Sequence, residues 1–438
     1  MRSVTAPDIH RTIDAVWRIE SAKLIAGLTR MVRDVGVAED LAQDALIAAL
    51  DKWPSTGIPD NPGAWLMATA KRRAIDLLRQ RTLHQRKHEE LVPEFEARQE
   101  TAVAELDEAL DDHVGDDLLR LIFMTCHPTL SVEARVALTL RLLGGLTTDE
   151  IARAFLTSEA TIAQRIVRAK RTLAERKVPF EVPRGVEMAE RLSSVLQVIY
   201  LIFNEGYSAT AGEDWVRPTL CEEALRLGRV LAELAPHESE VHGLVALMEI
   251  QASRLRARVG PSGEPVLLLD QDRSRWDQLL IRRGLAALAR AEKQSDARGE
   301  TLGPYALQAA IAACHARARA ADETDWHRIA ALYDELARRT PSPVVELNRA
   351  VAVAMADGPA AGLEIVDALN GESGLANYHL LPAVRGDFLM KLGRYDEAKR
   401  ELDRAASLTS NARERALLLD RAESAHQQSL ITDLPASD

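Results

Sequence analysis

The chain has 438 residues, 47% of them hydrophobic, and a formal net charge of −11. That length and apolar content support packed cores for about three domains and exclude extended disorder, while the negative balance excludes a simple DNA-coating protein. The N-terminus lacks a signal-like apolar run, and no stretch approaches the roughly 20 apolar residues of a bilayer span, so no membrane association and a cytoplasmic location are expected.

Taken in chain order, the first informative element is a helix in which Ala42, Leu46, Ala49 and Trp53 form a buried stripe and Asp40, Gln43, Asp44 and Asp51 lie opposite. An acidic face fits a basic protein partner better than DNA, with a solvated face as the plain alternative. Pro54 to Ala64 reads as a loop stiffened by Pro59 and Pro62, in which Gly57, Asp60, Asn61 and Gly63 allow close approach to unstacked bases. The next helix, Ala64 to Arg81, turns Leu66, Ala70, Ala74 and Leu77 inward and Arg72, Asp76 and Arg79 outward. Lys71 and Arg73 flank that outer face, and Arg81, Arg86 and Lys87 continue the positive run, a surface suited to a DNA backbone. Trp65 reads as a packing anchor ahead of an aromatic wedge between bases.

An acidic segment follows, with Glu89, Glu90, Glu94, Glu96, Glu100, Glu105, Asp107, Glu108, Asp111 and Asp112. It reads first as a solvated linker, and its charge also discourages free DNA binding. Beyond it, Thr147 and Glu150 make a capping-box pattern opening a short helix through Phe155, and Leu156-Thr157-Ser158 supplies a turn. Ser158 then caps a helix with Ile162, Ile166, Ala169 and Leu173 on its inner stripe. Gln164, Arg168 and Arg171 face outward, flanked by Thr161 and Arg165, with Arg176 and Lys177 at the end: long donors for base edges and cations for phosphates. A solvated basic face is the alternative. The capped short helix and tight turn upstream favour DNA binding.

More than half the chain lies beyond Pro183 and reads as successive Ala- and Leu-rich helices. Their breaks fall at Gly206 to Gly212, Pro236, Gly260 to Pro265, Gly299 to Pro304, Thr340 to Pro343 and Gly371 to Gly374. Ala383 to Leu392, Gly393-Arg394-Tyr395 and Glu397 to Leu408 match a tetratricopeptide helix pair; Val344 to Met355, Gly358 and Ala360 to Leu369 form another, about one 34-residue period earlier. Before Pro341 there is no clean period. Glu205, Asp272, Arg273, Asp325 and Arg349, set among Tyr207, Trp276 and Trp326, fit salt-bridged caps and helix-crossing anchors, with ligand sensing as the second reading. Cys126, Cys221 and Cys314 are odd in number and far apart, so packing residues rather than disulfides are expected. Cys126-His127 and Cys314-His315 lack a second ligand pair at zinc spacing. No metal, cofactor or catalytic residue is expected, and no phosphate loop or nucleophile elbow stands out.

Ala38-Glu39-Asp40-Leu41-Ala42-Gln43-Asp44-Ala45, Trp65-Leu66 and Ala70 to Arg79 resemble region 2 of a bacterial sigma factor, and Asp116 to Lys177 resembles region 4. With no region 3 between them, the pattern resembles the extracytoplasmic-function class. The resemblance implies an all-α chain: a region 2 helical bundle over 8–88, an acidic linker over 89–115, a region 4 helix-turn-helix over 116–178 and a helical-repeat regulatory domain over 184–426. It implies that Asp40, Gln43 and Asp44 dock on the clamp helices of the largest subunit of core RNA polymerase. Promoter DNA would meet Asn61, Lys71, Arg72, Arg73 and Arg79 at the −10 element, and Thr161, Gln164, Arg165, Arg168 and Arg171 at the −35 element. Arg72 stands where many members carry Asn, so phosphate binding rather than a base contact is implied there.

In the extension, Phe203-Asn204-Glu205-Gly206-Tyr207, Leu220-Cys221-Glu222-Glu223-Ala224, Gln271 to Trp276, Thr324-Asp325-Trp326 and Leu347 to Ala352 resemble the fused extension of the subgroup called group forty-two. That resemblance implies regulation in cis without a dedicated anti-sigma factor, and a small YCII-related protein with a DGPF motif as a candidate partner. The rival function is a stand-alone helix-turn-helix regulator with a tetratricopeptide-like sensor, which has no use for the region-2-like stretch. An enzyme fused to a DNA-binding module is a third class.

Overall fold

The computed structural model describes residues 6–86, 114–155, 157–209, 211–212 and 215–432. Within them the chain is built from eighteen α-helices, and its one sheet is a parallel pairing of Ala211–Gly212 with Ser410–Asn411. Two compact units divide between Ile199 and Tyr200. The acidic residues 89–112 and the expected start of the linker at 89 lie outside the described residues, whereas its expected end at 115 falls inside the helix Val114–Thr125.

Unit 1 begins with three mutually packed helices, α1 (Ala6–Val32), α2 (Val35–Thr56) and α3 (Pro62–Arg86). Asp34 starts α2 by accepting hydrogen bonds from the backbone N–H groups of Gly36 and Val37, at 2.8 and 3.1 Å. The helix runs three residues past the point where Pro54 was expected to end it, closing with the Gly57 N–H on the Trp53 carbonyl. A proline in the last turn removes one N–H there and leaves the turns before it intact. Asn61 and Pro62 then open α3, so the loop between the helices is 57–61 rather than the expected 54–64. Gly63 accordingly sits in the first turn of α3, where a Cβ would come within 2.9 Å of the Glu20 carboxylate.

The second part of unit 1 contains α4 (Val114–Thr125), α5 (Val132–Leu142), α6 (Thr148–Ala154) and α7 (Glu159–Glu175). The capping box forms in full: Glu150 N–H donates to Thr147 Oγ1 and Thr147 N–H to Glu150 Oε2. Ser158 Oγ caps α7 through Thr161 N–H at 3.1 Å. The next helix, α8 (Val186–Tyr207), contains the division between the units, and its first half bonds into unit 1: Arg191 to the Phe123 carbonyl and Ser194 to the Cys126 carbonyl.

Unit 2 continues through α9 (Pro218–Leu234), α10 (Ser239–Ala252), α11 (Gln278–Arg298), α12 (Pro304–Arg317), α13 (Trp326–Arg339), α14 (Pro343–Asp357), α15 (Pro359–Ala368), α16 (Leu380–Lys391), α17 (Tyr395–Leu408) and α18 (Ala412–Thr432). Successive helices from α12 onward pack on their neighbours, and the pairs α14–α15 and α16–α17 coincide with the two expected repeats. Gly393 turns the second pair at φ 72°, a conformation that favours glycine. At Gly362 a Cβ would lie 2.5 Å from that of Ala354, so this helix crossing requires hydrogen there. The longest irregular stretch, 253–277, holds three short 3₁₀ turns. Among the described residues, no helix is long and apolar enough to cross a membrane.

Candidate nucleic-acid interface

The inner stripe of α7 is buried as its spacing requires: Ile162, Ile166, Ala169 and Leu173 are each at most 4% exposed. Burying that stripe turns the opposite face outward, so Thr161, Gln164, Arg168 and Arg171 are exposed and Arg165 is half-buried. The Thr161 and Ser158 hydroxyls lie 2.8 Å apart, which leaves Thr161 partly engaged in the cap. Arg171 donates to Glu175 at 2.6 Å, an exposed pair readily exchanged for a phosphate. Val167, 63% exposed between these polar positions, was not singled out from the sequence. The signal was there, a β-branched residue inside a polar stripe, and its chemistry suits a thymine methyl.

On α3, Leu66, Ala70 and Ala74 are buried and Leu77 is partly so. Trp65 is half-buried and meets fully buried Trp53 edge-on, with ring centroids 5.3 Å apart, so it braces the start of α3 as a packing anchor. Asn61 is exposed, and its Oδ1 accepts the Ala64 N–H at 3.1 Å. Arg72 and Arg79 are exposed, whereas Lys71 is half-buried and engaged. Arg73 pairs with Asp44 at 3.0 Å. The expected acidic and basic sets are therefore not segregated, because one member of each neutralises the other. Of the acidic set, Asp40 and Asp44 are exposed, while Gln43 turns its amide to Glu39 at 2.8 Å.

Glu39, counted in the sequence only as part of a motif, organises unit 1. It is 3% exposed, accepts Arg141 Nε at 2.7 Å and pairs with Lys170 of α7. Burial alone would raise its pKa, but Lys170 and Arg141 outweigh it and hold the carboxyl below its ordinary value. Asp117 of α4, equally buried, accepts Arg120 at 2.7 Å and Arg30 of α1 at 3.3 Å. Arg18 of α1 reaches Glu150 at 2.6 Å. Charged contacts thus tie α1 and α2 to α4, α5, α6 and α7.

The motif residues of the extension act largely as caps and anchors. Asp325 caps α13 through Arg328 N–H, Asp272 accepts Ser274 N–H, Glu205 pairs with Arg217, and Arg349 pairs with Glu346 and Asp334. Arg273 donates to the carbonyls of His315 and Ala318, both at 2.7 Å. The three cysteines are free; Cys126 and Cys221 are buried and Cys314 partly so. Among the described residues no group of His, Cys, Asp and Glu could hold a metal ion.

Residues 20–83 match the model of sigma-70 region 2, residues 120–173 that of sigma-70 region 4, and residues 191–292 that of a family of unknown function. An uncharacterized protein of Rhizobium meliloti is 45% identical over 395 residues, spanning 90% of this chain and 91% of its own. The probable ECF RNA polymerase sigma factor SigI of Mycobacterium tuberculosis is 28% identical over 169 residues, 39% of this chain and 57% of SigI. The ECF RNA polymerase sigma factor SigK of a Mycobacterium species is 29% identical over 174 residues, 38% of this chain and 82% of SigK.

Proposed function

This chain belongs to the sigma-70 family of RNA polymerase sigma factors and is of the extracytoplasmic-function kind, and from that premise we propose that it carries core RNA polymerase to promoters. It is an initiation factor rather than an enzyme. In this reading it acts in the cytoplasm: Asp40, Gln43 and Asp44 meet the clamp helices, Asn61 and the cations of α3 engage the −10 element, and α7 reads the −35 element. The observation that supports it best is the outward face of α7, where long donors stand on a helix capped and held by a short helix and turn.

The promoter geometry carries a consequence. Elements roughly 25 base pairs apart are separated by on the order of 80 Å of duplex. The 22 residues of α2 span about 33 Å, and α7 is bonded near its start while loop 57–61 follows its end. In this arrangement both elements cannot be reached together, so unit 1 must open at Glu39 when polymerase is engaged.

The test is run-off transcription with reconstituted polymerase across a promoter pool, together with a pull-down on core enzyme. Failure to join core at moderate salt sinks the sigma reading and leaves the stand-alone regulator. Arg168→Ala is expected to weaken −35 recognition by about 1–3 kcal/mol and relax base preference at one position; unchanged selectivity removes Arg168 from the reading set. Asp44→Lys reverses the exposed acid and strands Arg73, and we expect roughly tenfold weaker core binding, ~1.4 kcal/mol. Full core affinity in that variant contradicts the docking face.

The extension completes the reading as a regulator in cis of the group forty-two kind, without a dedicated anti-sigma factor and with a small YCII-related protein as candidate partner. Co-purification of that protein with the full chain, but not with residues 1–199, tests the partnership.

A further inference from the structure

The irregular segment 253–277 of unit 2 gathers five arginines on two short stretches, Arg254, Arg256 and Arg258 on one and Arg273 and Arg275 on the other. Three of them stack on aromatic rings. Arg258 lies 3.8 Å from the centroid of Tyr207 and 5.4 Å from that of Trp215. Arg254 lies over Tyr207 and Trp276, at 5.9 and 5.7 Å, and Arg273 over Trp276 at 4.9 Å.

Asp322 and Glu323 act on Arg273 from a distance, without an ion pair. Arg254 is only 9% exposed, its Nε has no partner, and among the described residues no carboxylate pairs with Arg254, Arg258 or Arg273. The Nε1 atoms of Trp215 and Trp276 are buried donors without acceptors as well. Elsewhere in unit 2 the buried charges are paired, as Glu249 is with Arg229 and Glu205 with Arg217. Stacking on a ring offsets only part of the cost of taking a guanidinium out of water. Burial, and then the charge of Arg254, push Arg258 and Arg273 below the ordinary arginine range. His315 is driven down to about 4, first by burial and then by Arg254 and Arg273, so it is neutral and adds no further charge.

Trp276 also lines an open groove of about 700 Å³, with exposed Arg256 and Arg275 at its sides and Ser274 and Gly260 beside them. Asp277, the acid on this groove, is engaged in capping α11 through the N–H groups of Leu279 and Leu280. The groove and the stacked arginines fall inside residues 191–292, the stretch matched by the family of unknown function.

We propose that this arginine-aromatic cluster and its groove bind a small, multiply charged anion of the phosphate or diphosphate class, with Arg256 and Arg275 gripping it and Arg254 supplying the uncompensated charge behind Trp276. Guanidinium forks match phosphate oxygens. The site lies wholly within unit 2 and is independent of how the chain meets a promoter.

The test uses the full chain titrated with inorganic pyrophosphate and with inorganic phosphate, against sodium chloride at equal ionic strength, followed by thermal unfolding and calorimetry. Saturable binding is expected, weakened at least tenfold in the Arg256→Ala, Arg275→Ala double variant, whose anion-free melting should match the parent. Because α3 and α7 also attract anions, that difference between parent and double variant is the deciding quantity. Equal responses overturn the site, as does a parent response no greater than that to chloride. Arg254→Met should also lose the response while melting no lower than the parent without anion; a lower anion-free Tm with binding intact makes Arg254 a packing residue and overturns its role.

Discussion

Glu39→Ala is expected to cost unit 1 about 3–5 kcal/mol, the usual penalty for removing one partner of a buried ion pair and stranding the other. Two cations, Arg141 and Lys170, lose their carboxylate at once, and Gln43 loses its acceptor. Urea unfolding of the full chain measures the loss. A second readout follows from the position of Lys170 on α7: labels at residues 44 and 168 should move apart in the variant. If, as proposed, unit 1 opens when promoter DNA is engaged, removing the latch should also raise the apparent affinity for core polymerase. Unchanged label separation with unchanged stability would end the latch argument.

The same residue sets a pH dependence. Its folded pKa is held below the ordinary 4.5, so its stabilising contribution is complete above that value and is lost as pH falls through the folded value. The contacts between α2 and α7 should therefore loosen on acidification below about pH 4.5, and Glu39→Gln should abolish that component of the profile.

Truncation after Arg176 is expected to unfold much of the second part of unit 1 rather than to yield a clean, deregulated sigma factor. The cut removes Arg191 and Ser194, whose side chains occupy the Phe123 and Cys126 carbonyls, and Val195, fully buried on the same face of α8. Arg191 also lies 5.9 Å from the Phe123 ring centroid, and Ser194 bonds Arg135. Two buried hydrogen bonds, one of them charged, at about 1–3 kcal/mol each, and one buried valine at about 1.5–3 kcal/mol, sum to roughly 5 kcal/mol. Marginal stability of about 5–15 kcal/mol makes that a decisive fraction. Comparing fragments 1–176 and 1–199 by urea melts checks it: equal midpoints would show that α8 contributes nothing to unit 1. Altered transcription by the shorter fragment would then report damage to unit 1 rather than the absence of the extension.

Much of α7 was legible because its determinants are local. The Ser158 cap, the capping box at Thr147 and Glu150 and the four-residue inner stripe depend on neighbours a few positions away, and each forms as the sequence spacing requires. The inner stripes of α2 and α3 were likewise readable, apart from Leu46 and Leu77, which are only partly buried. The end of α2 was misread at Pro54, since a proline in a last turn does not break the helix before it. The Arg73–Asp44 pair was invisible because each residue was read on its own helix, where it belongs to a set of like charge.

The helical class, the caps and buried faces of α3 and α7, the turn positions of the late repeats and the resemblance to sigma factors are all written in the linear chain. Local propensity, periodicity and side-chain chemistry suffice for these. Only the folded chain shows that Glu39 is a buried junction, that α8 contains the division between the units, and that Arg254, Arg258 and Arg273 lie over aromatic rings with no ion-paired carboxylate among the described residues. Those features join residues such as Glu39 and Lys170, or Tyr207 and Arg258, that no helical or strand period relates. Burial and pairing of a charge depend on what the folded chain brings to it from elsewhere, and a linear pattern does not contain that information.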